Sequence, residues 1–446
     1  MNPSSFSLTC AGPSFKFNLP KVSGKPVDFI RILHSSVCSE ESYDMAQALH
    51  NTRLNMVTRL STKDRALAEI IESVDHYLFV LHPFFNSLKN QTSVRLDAEM
   101  IFEWIGSFSN NKAAQRFPDV IFEVAMTLHT KAILHYNLAK QLLNSDPAGN
   151  LPVAGQHLHA AAGVMDYLAS VLLPQWINGT KRPPEASASV CKAMADFFTA
   201  ETQHMVVAKK ALENGAVSML TVKLCVSALR VVDEGLDRFE SISKEDLCFG
   251  LYNPIFNRTF YAALVYFYSG EVARTKNNDV GIALGYYRES LVRVKDLYTG
   301  TKERVLRFDR LCVDNPSIRA GVRFLESAIE TSTALAKRDN DMIFFQPVPG
   351  HRDLPSLPEG VLVMVRKMYS PPPGNGVILF TFDATRARIP VGTRWVPPAV
   401  VVTSAPPASA MSSFAANSGS SKTEVIDADH KYAIELQRKL DAGEHI

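Results

Sequence analysis

Residues 117–143, FPDVIFEVAMTLHTKAILHYNLAKQLL, constrain the fold more than any other stretch of the chain. Apolar side chains fall nearly all round about seven helical turns. Such a helix has no face to give to water, so it must lie at the centre of a helical body. Pro118 suits a first turn, and Asp146-Pro147 closes the segment.

The flanking patterns are also helical. Leu67, Ile70, Ile71, Val74, Leu78 and Leu81 recur at three- and four-residue spacings, as one buried face requires, and Pro83 is expected to end or kink that helix. RLDAEMIFEWIGSF reads as a short helix or strand packed on the body. Residues 153–173 form a second helix. Its Ala160, Ala161, Ala162 and Gly163 are small enough to let a neighbouring helix approach closely. Residues 185–213 and 216–241 give two more helices, broken at Asn214-Gly215. Residues 253–276 and 279–298 form a pair like a tetratricopeptide hairpin, with small Ala262, Ala263, Gly270 and Ala283 beside large Tyr266, Tyr268, Tyr286 and Tyr287. Only this one pair is convincing as a repeat. A last long helix covers roughly 315–338.

Both ends of the chain differ. Residues 1 to about 30 read as an extended arm containing the short strand-like FKFNL. After Asn340, Pro347, Pro349, Pro355 and Pro358 forbid a helix longer than a turn, so this segment is extended. Ser, Ala, Pro, Thr and Gly dominate residues 403–422, a composition unable to bury enough apolar surface to order itself. Residues 427–442 return to a helical pattern. The expected division is a helical domain over 1–398, a Ser/Ala/Pro linker over 399–426 and an isolated amphipathic helix over 427–446. The fold class is mainly α, with a tetratricopeptide-like helical core and short extended or β segments at the N-terminus and after residue 340.

Composition and motifs exclude more than they identify. Forty-seven Lys and Arg against 45 Asp and Glu leave +2, so no overall basic field draws nucleic acid. No secretory signal and no membrane-spanning run is visible. The six cysteines, at 10, 38, 191, 225, 248 and 312, fit free thiols in a reducing cytoplasm rather than a zinc ribbon or disulfide scaffold. No nucleophile elbow, P-loop, zinc-protease or dinucleotide motif occurs. His157 and His159 point far apart on a helix and cannot share an ion. Glu123 reads as a partnered carboxylate, and Cys191 and Cys225 lack a nearby His–Asp context. No enzymatic activity, metal or cofactor is expected.

Several strings, in this order, resemble the BRO domain family, the boomerang-shaped domain of Alix-like and BROX-like proteins. FEVAMTLHTKAILHYNLAKQLL (122–143) is similar to the family's central helix, and AAAGVMDYLASVLLPQW (160–176) to the helix after it. AETQHMVVAKKALENGAVSMLTVKL (200–224) resembles the next pair, and YFYSGEVARTKNNDVGIALGYYRESL (266–291) the tetratricopeptide-like part. DNDMIFFQPVP (339–349) looks like the signature closing the domain. The likeness spans about 20–390, and short BROX-like proteins look nearest.

The resemblance implies a curved helical adaptor without catalysis, cytoplasmic and recruited to endosomes, acting in endosomal sorting, multivesicular-body formation or membrane remodelling. Its implied partner is the C-terminal helix of an ESCRT-III subunit of the charged multivesicular body protein four type, laid into an apolar groove. Carried onto this chain, the groove falls at Val207, Leu220 and Leu224. A one-residue shift at Asn214-Gly215 would put Val206 in place of Val207. The reading requires an exposed apolar strip containing Leu220 and Leu224. The alternative is a scaffold of the same fold whose groove takes an unrelated peptide. Two departures stand out. The signature's tyrosine, an SH2-docking position in some relatives, is Phe344 here. The chain ends GEHI, without the prenylation box of BROX-like proteins, so membrane recruitment is expected through partners or a basic surface. In the tail, Ala433, Leu436 and Gln437 after acidic Asp427 and Asp429 resemble single-helix ubiquitin-binding motifs, making ubiquitin a second candidate partner.

Overall fold

The computed structural model describes residues 17–380, apart from 25, 38, 63–64, 91–93, 109–112, 147, 178–181, 215–216, 241–251, 300–315 and 373–379. The linker, the tail helix and the tail residues Ala433, Leu436 and Gln437 lie outside the described residues. Among those described, nine long helices follow one another: α1 (Glu40–Ser61), α2 (Leu67–Asn90), α3 (Val120–Ser145), α4 (Leu151–Tyr167), α5 (Ala188–Asn214), α6 (Met219–Glu240), α7 (Tyr252–Val272), α8 (Val280–Thr299) and α9 (Pro316–Asp339). Each packs chiefly on its neighbours in sequence, so the layer grows by successive helical hairpins. A small antiparallel sheet runs β1 (Lys21–Val22), β2 (Phe102–Ile105), β3 (Gln115–Phe117), with Val22 opposite Trp104 and Phe102 opposite Phe117.

The centre is α3, as its all-round apolar pattern requires: 19 of its 26 residues are buried. Its buried polar groups tie the surrounding elements to it. Glu123 accepts hydrogen bonds from Arg53 Nε on α1 (2.7 Å), Tyr77 OH on α2 (3.1 Å) and Trp104 Nε1 on β2 (2.6 Å). A buried carboxylate is tolerated because all three donors converge on it. Asn137 grips the N-terminal arm: its Oδ1 accepts from the Phe17 amide (3.0 Å) and its Nδ2 donates to the Phe17 carbonyl (2.8 Å). The Phe17 ring lies edge-on to Tyr136 and Phe198.

Two expectations are corrected here. Helix α2 does not end at Pro83 but continues to Asn90. Proline removes the donor for the Phe79 carbonyl, but Phe79 faces solvent, and buried Phe84, Phe85 and Leu88 hold the next turns in place. Gly163 does not serve a crossing helix. A Cβ there would overlap the carbonyl oxygen of Lys367, in the extended segment after α9.

That segment is the second organising element. From Gln346 to Tyr369 it is extended apart from one short turn at His351–Asp353, and it runs back across the helices as a strap. Arg288 on α8 donates to the Pro349 carbonyl (2.6 Å), and Tyr286 OH to that of Pro355 (3.0 Å). The Val361 amide donates to the Lys223 carbonyl of α6 (3.1 Å). Gln203 of α5 donates to the Val361 carbonyl (2.8 Å) and accepts from the amides of Val363 and Met364 (3.2 and 3.3 Å). Arg366 pairs with Asp196 (2.8 Å), and the Tyr369 amide donates to the Gly163 carbonyl of α4 (3.1 Å). The Tyr369 ring reaches His82 of α2, and Phe380 meets Phe84 edge-on. The strap thus bonds to or packs on α8, α6, α5, α4 and α2 in turn.

Candidate peptide-docking face

Helix α6 and the strap decide which of the sequence-derived groove residues reach solvent. Val207 and Leu224 are buried in the core, and so is Val206. They are therefore not groove-wall residues in this structure, which corrects the expectation for both. The reason is angular. Leu224 lies one turn and about 40° round the helix from Leu220, towards the face packed on α5 and α7. Its carbonyl lies 3.4 Å from Gln203 Nε2, beside the crossing strap. Leu220 sits at the shoulder of the helix, half-buried and packed on the core's edge.

The outward stripe of α6 is displaced from the expected one. It runs through Met219, Lys223, Val226 and Arg230, spaced i, i+4, i+7 and i+11; Met219 and Arg230 are exposed, whereas Lys223 and Val226, like Leu220 and Leu229 on its two sides, are half-buried. Met219 is 44% exposed. The sequence reading missed Met219 and Val226, although their spacing was visible. Leu220 and Leu224 were carried over from the family resemblance, and their one-turn spacing is compatible with a shared face without deciding which of them meets solvent. Ion pairs close the far end of the stripe: Arg230 lies 3.8 Å from Glu234, and Arg258 of α7 donates to Asp233 (2.5 Å). The face is thus an apolar strip about two turns long with a basic residue, Lys223, within it.

The titratable groups inside the body serve structure. Beneath the α5–α6 pair, Glu201 accepts from Tyr136 OH (2.7 Å) and pairs with Lys140. His204, stacked on Tyr261, is pushed down to about 3 by burial, with Lys140 adding to the effect. Burial alone takes His129 to about 3, where its Nε2 bonds Ser107 Oγ (3.0 Å). His157 and His159 point apart, as helix geometry demands. His157 Nδ1 meets His135 Nδ1 of α3 (2.9 Å), whereas His159 Nε2 accepts from the Lys367 amide (3.2 Å). Among the described residues no three His, Cys, Asp or Glu side chains are grouped to hold a metal ion. Burial, reinforced by the Glu185 charge, pushes the Cys191 thiol up, the opposite of nucleophile activation. No helix among the described residues is long and apolar enough to cross a membrane.

Comparison with known proteins bears on this arrangement. The family model for the BRO1-like domain matches residues 23–380. A curated relative, Apoptosis-linked gene 2-interacting protein X 1 of Caenorhabditis elegans, is 22% identical over 369 residues, covering 79% of this chain and 39% of its own length. This chain therefore spans about two-fifths of that relative. The fold is similar to that of a solved complex of the Alix BRO1 domain with CHMP4C (TM-score 0.65, 15% identity, covering 82% of this chain and 98% of that one). It is also similar to Alix bound to a viral late-domain peptide (TM-score 0.64, 17% identity, 81% and 50%). A third likeness is to a structure described as the basis for endosomal targeting by the Bro1 domain (TM-score 0.59, 17% identity, 80% and 93%). At these identities the structural likeness concerns the fold. The family model covers most of the chain, from just after the first strand through the strap to Phe380, and on that match the chain belongs to the BRO1-like domain family.

Proposed function

We propose that the chain is a non-catalytic adaptor that docks the amphipathic C-terminal helix of an ESCRT-III subunit, of the CHMP4 type, on the outward face of α6. The observation that carries this reading is the apolar strip of Met219, Leu220 and Val226 on a fold shared with a BRO1 domain solved with CHMP4C. A partner helix presenting apolar anchors at i, i+3 and i+4 matches a strip of this length, and Lys223 favours an acidic group beside those anchors. Of the three residues carried over from the family, Leu220 remains in the proposed contact and Val207 and Leu224 support it from beneath. Recruitment to endosomes would follow from the partner. The tail helix, with Ala433, Leu436 and Gln437, is proposed as a separate ubiquitin contact on the 399–426 tether.

The test is titration of the full chain with a fluorescent CHMP4-type C-terminal peptide. Met219→Asp and Val226→Asp variants, checked for folding by circular dichroism, run alongside. The expected outcome is binding that each substitution weakens on the order of tenfold or more, because a carboxylate would replace an apolar contact. Wild-type affinity in both folded variants would refute the α6 face. Absence of binding by the wild-type chain would refute the ESCRT-III partner.

A further inference from the structure

We propose that the turn closing α9 is a membrane wedge, a preformed apolar tip that inserts into the interfacial layer of a lipid bilayer. Four consecutive large apolar residues project from this turn: Met342 (70% exposed), Ile343 (66%), Phe344 (37%) and Phe345 (75%), with Val348 exposed just beyond. Scattered single apolar residues on a surface need no explanation, but a contiguous run does.

The tip is held, not left loose. The last turn of α9 widens over Asn340–Phe344, and Phe345 follows with φ +50°. A left-handed backbone is strained for a bulky aromatic residue and persists only where its surroundings impose it. Here two amides impose it. Asn340 Nδ2 donates to the Gln346 carbonyl (2.9 Å), and its Oδ1 accepts from the Gln346 amide (2.9 Å). The Gln346 side chain repeats the pattern against the α7–α8 turn: its Nε2 donates to the Asn278 carbonyl (3.0 Å), and its Oε1 accepts from the Gly281 amide (2.9 Å). Both arms of the turn are thereby fixed to the body. The aromatic tip is presented at little further entropic cost on binding.

Geometry selects a bilayer as the occupant. A protein groove reads one face of a helix or alternate positions of a strand. Three successive residues on the widened turn and left-handed Phe345 just past it spread around the tip, so no single wall covers them, whereas a fluid apolar medium contacts all of them. The charges fit a shallow depth. Exposed Lys337 and Arg338 in the last turn of α9, Lys276 in the turn that Gln346 bonds, and Arg352 after the tip supply positive charge on the segments that flank it. Arg338 is tied to Asp339 (3.1 Å), and Asp341, Asp353 and half-buried Asp279 on the same segments offset much of that charge. Attachment therefore depends mainly on apolar insertion and only weakly on anionic lipid or salt. Asp341, exposed beside Met342, opposes insertion.

Co-sedimentation of the full chain with phosphatidylcholine vesicles, with and without a phosphatidylserine fraction, tests the proposal. Wild type should bind both, with little change when salt is raised. A Met342→Ser, Phe345→Asn variant should bind roughly a hundredfold more weakly. Asparagine suits the left-handed backbone, so this variant relieves strain and is expected to fold. Asp341→Asn should bind more tightly than wild type. Met342→Trp should show blue-shifted fluorescence on vesicles, quenched by lipids brominated on their acyl chains. The tip is separate from the α6 face, so CHMP4-type peptide affinity should be unchanged in the double variant. No vesicle binding by the wild type, binding only to anionic vesicles, or equal binding by the folded double variant would each overturn the wedge.

Discussion

Gln203→Leu is the perturbation that most directly probes how the strap is held. Leucine keeps the approximate volume but removes both ends of the amide. The Gln203 amide supplies a donor to Val361 (2.8 Å) and an acceptor shared by the amides of Val363 and Met364 (3.2 and 3.3 Å). Removing it leaves three backbone groups without partners, at a site where Val363 and Met364 are buried. An unsatisfied buried polar group costs about 1–3 kcal/mol, and the longer shared bonds belong at the low end of that range. The loss is therefore about 3–5 kcal/mol, borne by the strap and the α5–α6 pair beneath it. Amide hydrogen exchange resolved along the chain is the assay, with urea unfolding as the global measure. Exchange at residues 361–364 should accelerate on the order of a hundredfold or more, while the α3 amides change less. Two sets of results would refute the reasoning. Unchanged exchange at 361–364 would mean the strap is held by packing alone. Equal acceleration throughout the molecule would mean that it opens only with global unfolding.

Two further outcomes follow from the buried polar groups. Glu123→Ala strands Arg53, which is buried on α1, and should cost about 3–5 kcal/mol by urea unfolding; a loss under about 1 kcal/mol would show that the three donors find other partners. Three histidines, His129, His135 and His204, are depressed to about 3 by burial. A neutral histidine whose folded value lies below its unfolded value contributes stability that is complete above about pH 6.5 and falls as the pH drops towards 3, because the unfolded chain takes up the protons first. Stability should thus decline by roughly 1.4 kcal/mol per histidine per pH unit below 6.5. Urea midpoints measured from pH 7.5 down to about 5 should therefore fall, and a His129→Gln variant should show a shallower decline. A flat profile would contradict the burial of these rings.

The elements written by local pattern were legible from residue spacing. Helix α3 was placed within about three residues of its observed bounds because apolar side chains all round its turns admit no other role. The α7–α8 hairpin was legible from small residues opposed to tyrosines. Gly270 does face the Tyr287 ring, and Tyr287 OH donates to Glu271 (2.7 Å). His157 and His159 were separated by helix geometry alone. Of the two outcomes expected at Pro83, an end to the helix does not occur, because the cost of one lost hydrogen bond is local, while the packing of Phe84, Phe85 and Leu88 that outweighs it lies across the chain.

The candidate site was legible only as a neighbourhood. The neighbourhood of Leu220 came from the family resemblance; the sequence by itself determined that the chain builds a body of long helices on a central one and that the segment after Asn340 is extended. Those properties follow from periodicity and from proline, which act within a few residues. Which residues of α6 face water was decided by the tertiary structure, because Leu220 and Leu224 are equally apolar and only their neighbours distinguish them. The same holds for Gly163, which reads as a helix-crossing position and in fact admits the strap backbone some 200 residues away. It holds also for the turn at 340–346, whose exposed tip is fixed by Gln346 bonding across to the α7–α8 turn. Burial and long-range hydrogen bonding are properties of pairs brought together by folding, and no local pattern encodes them.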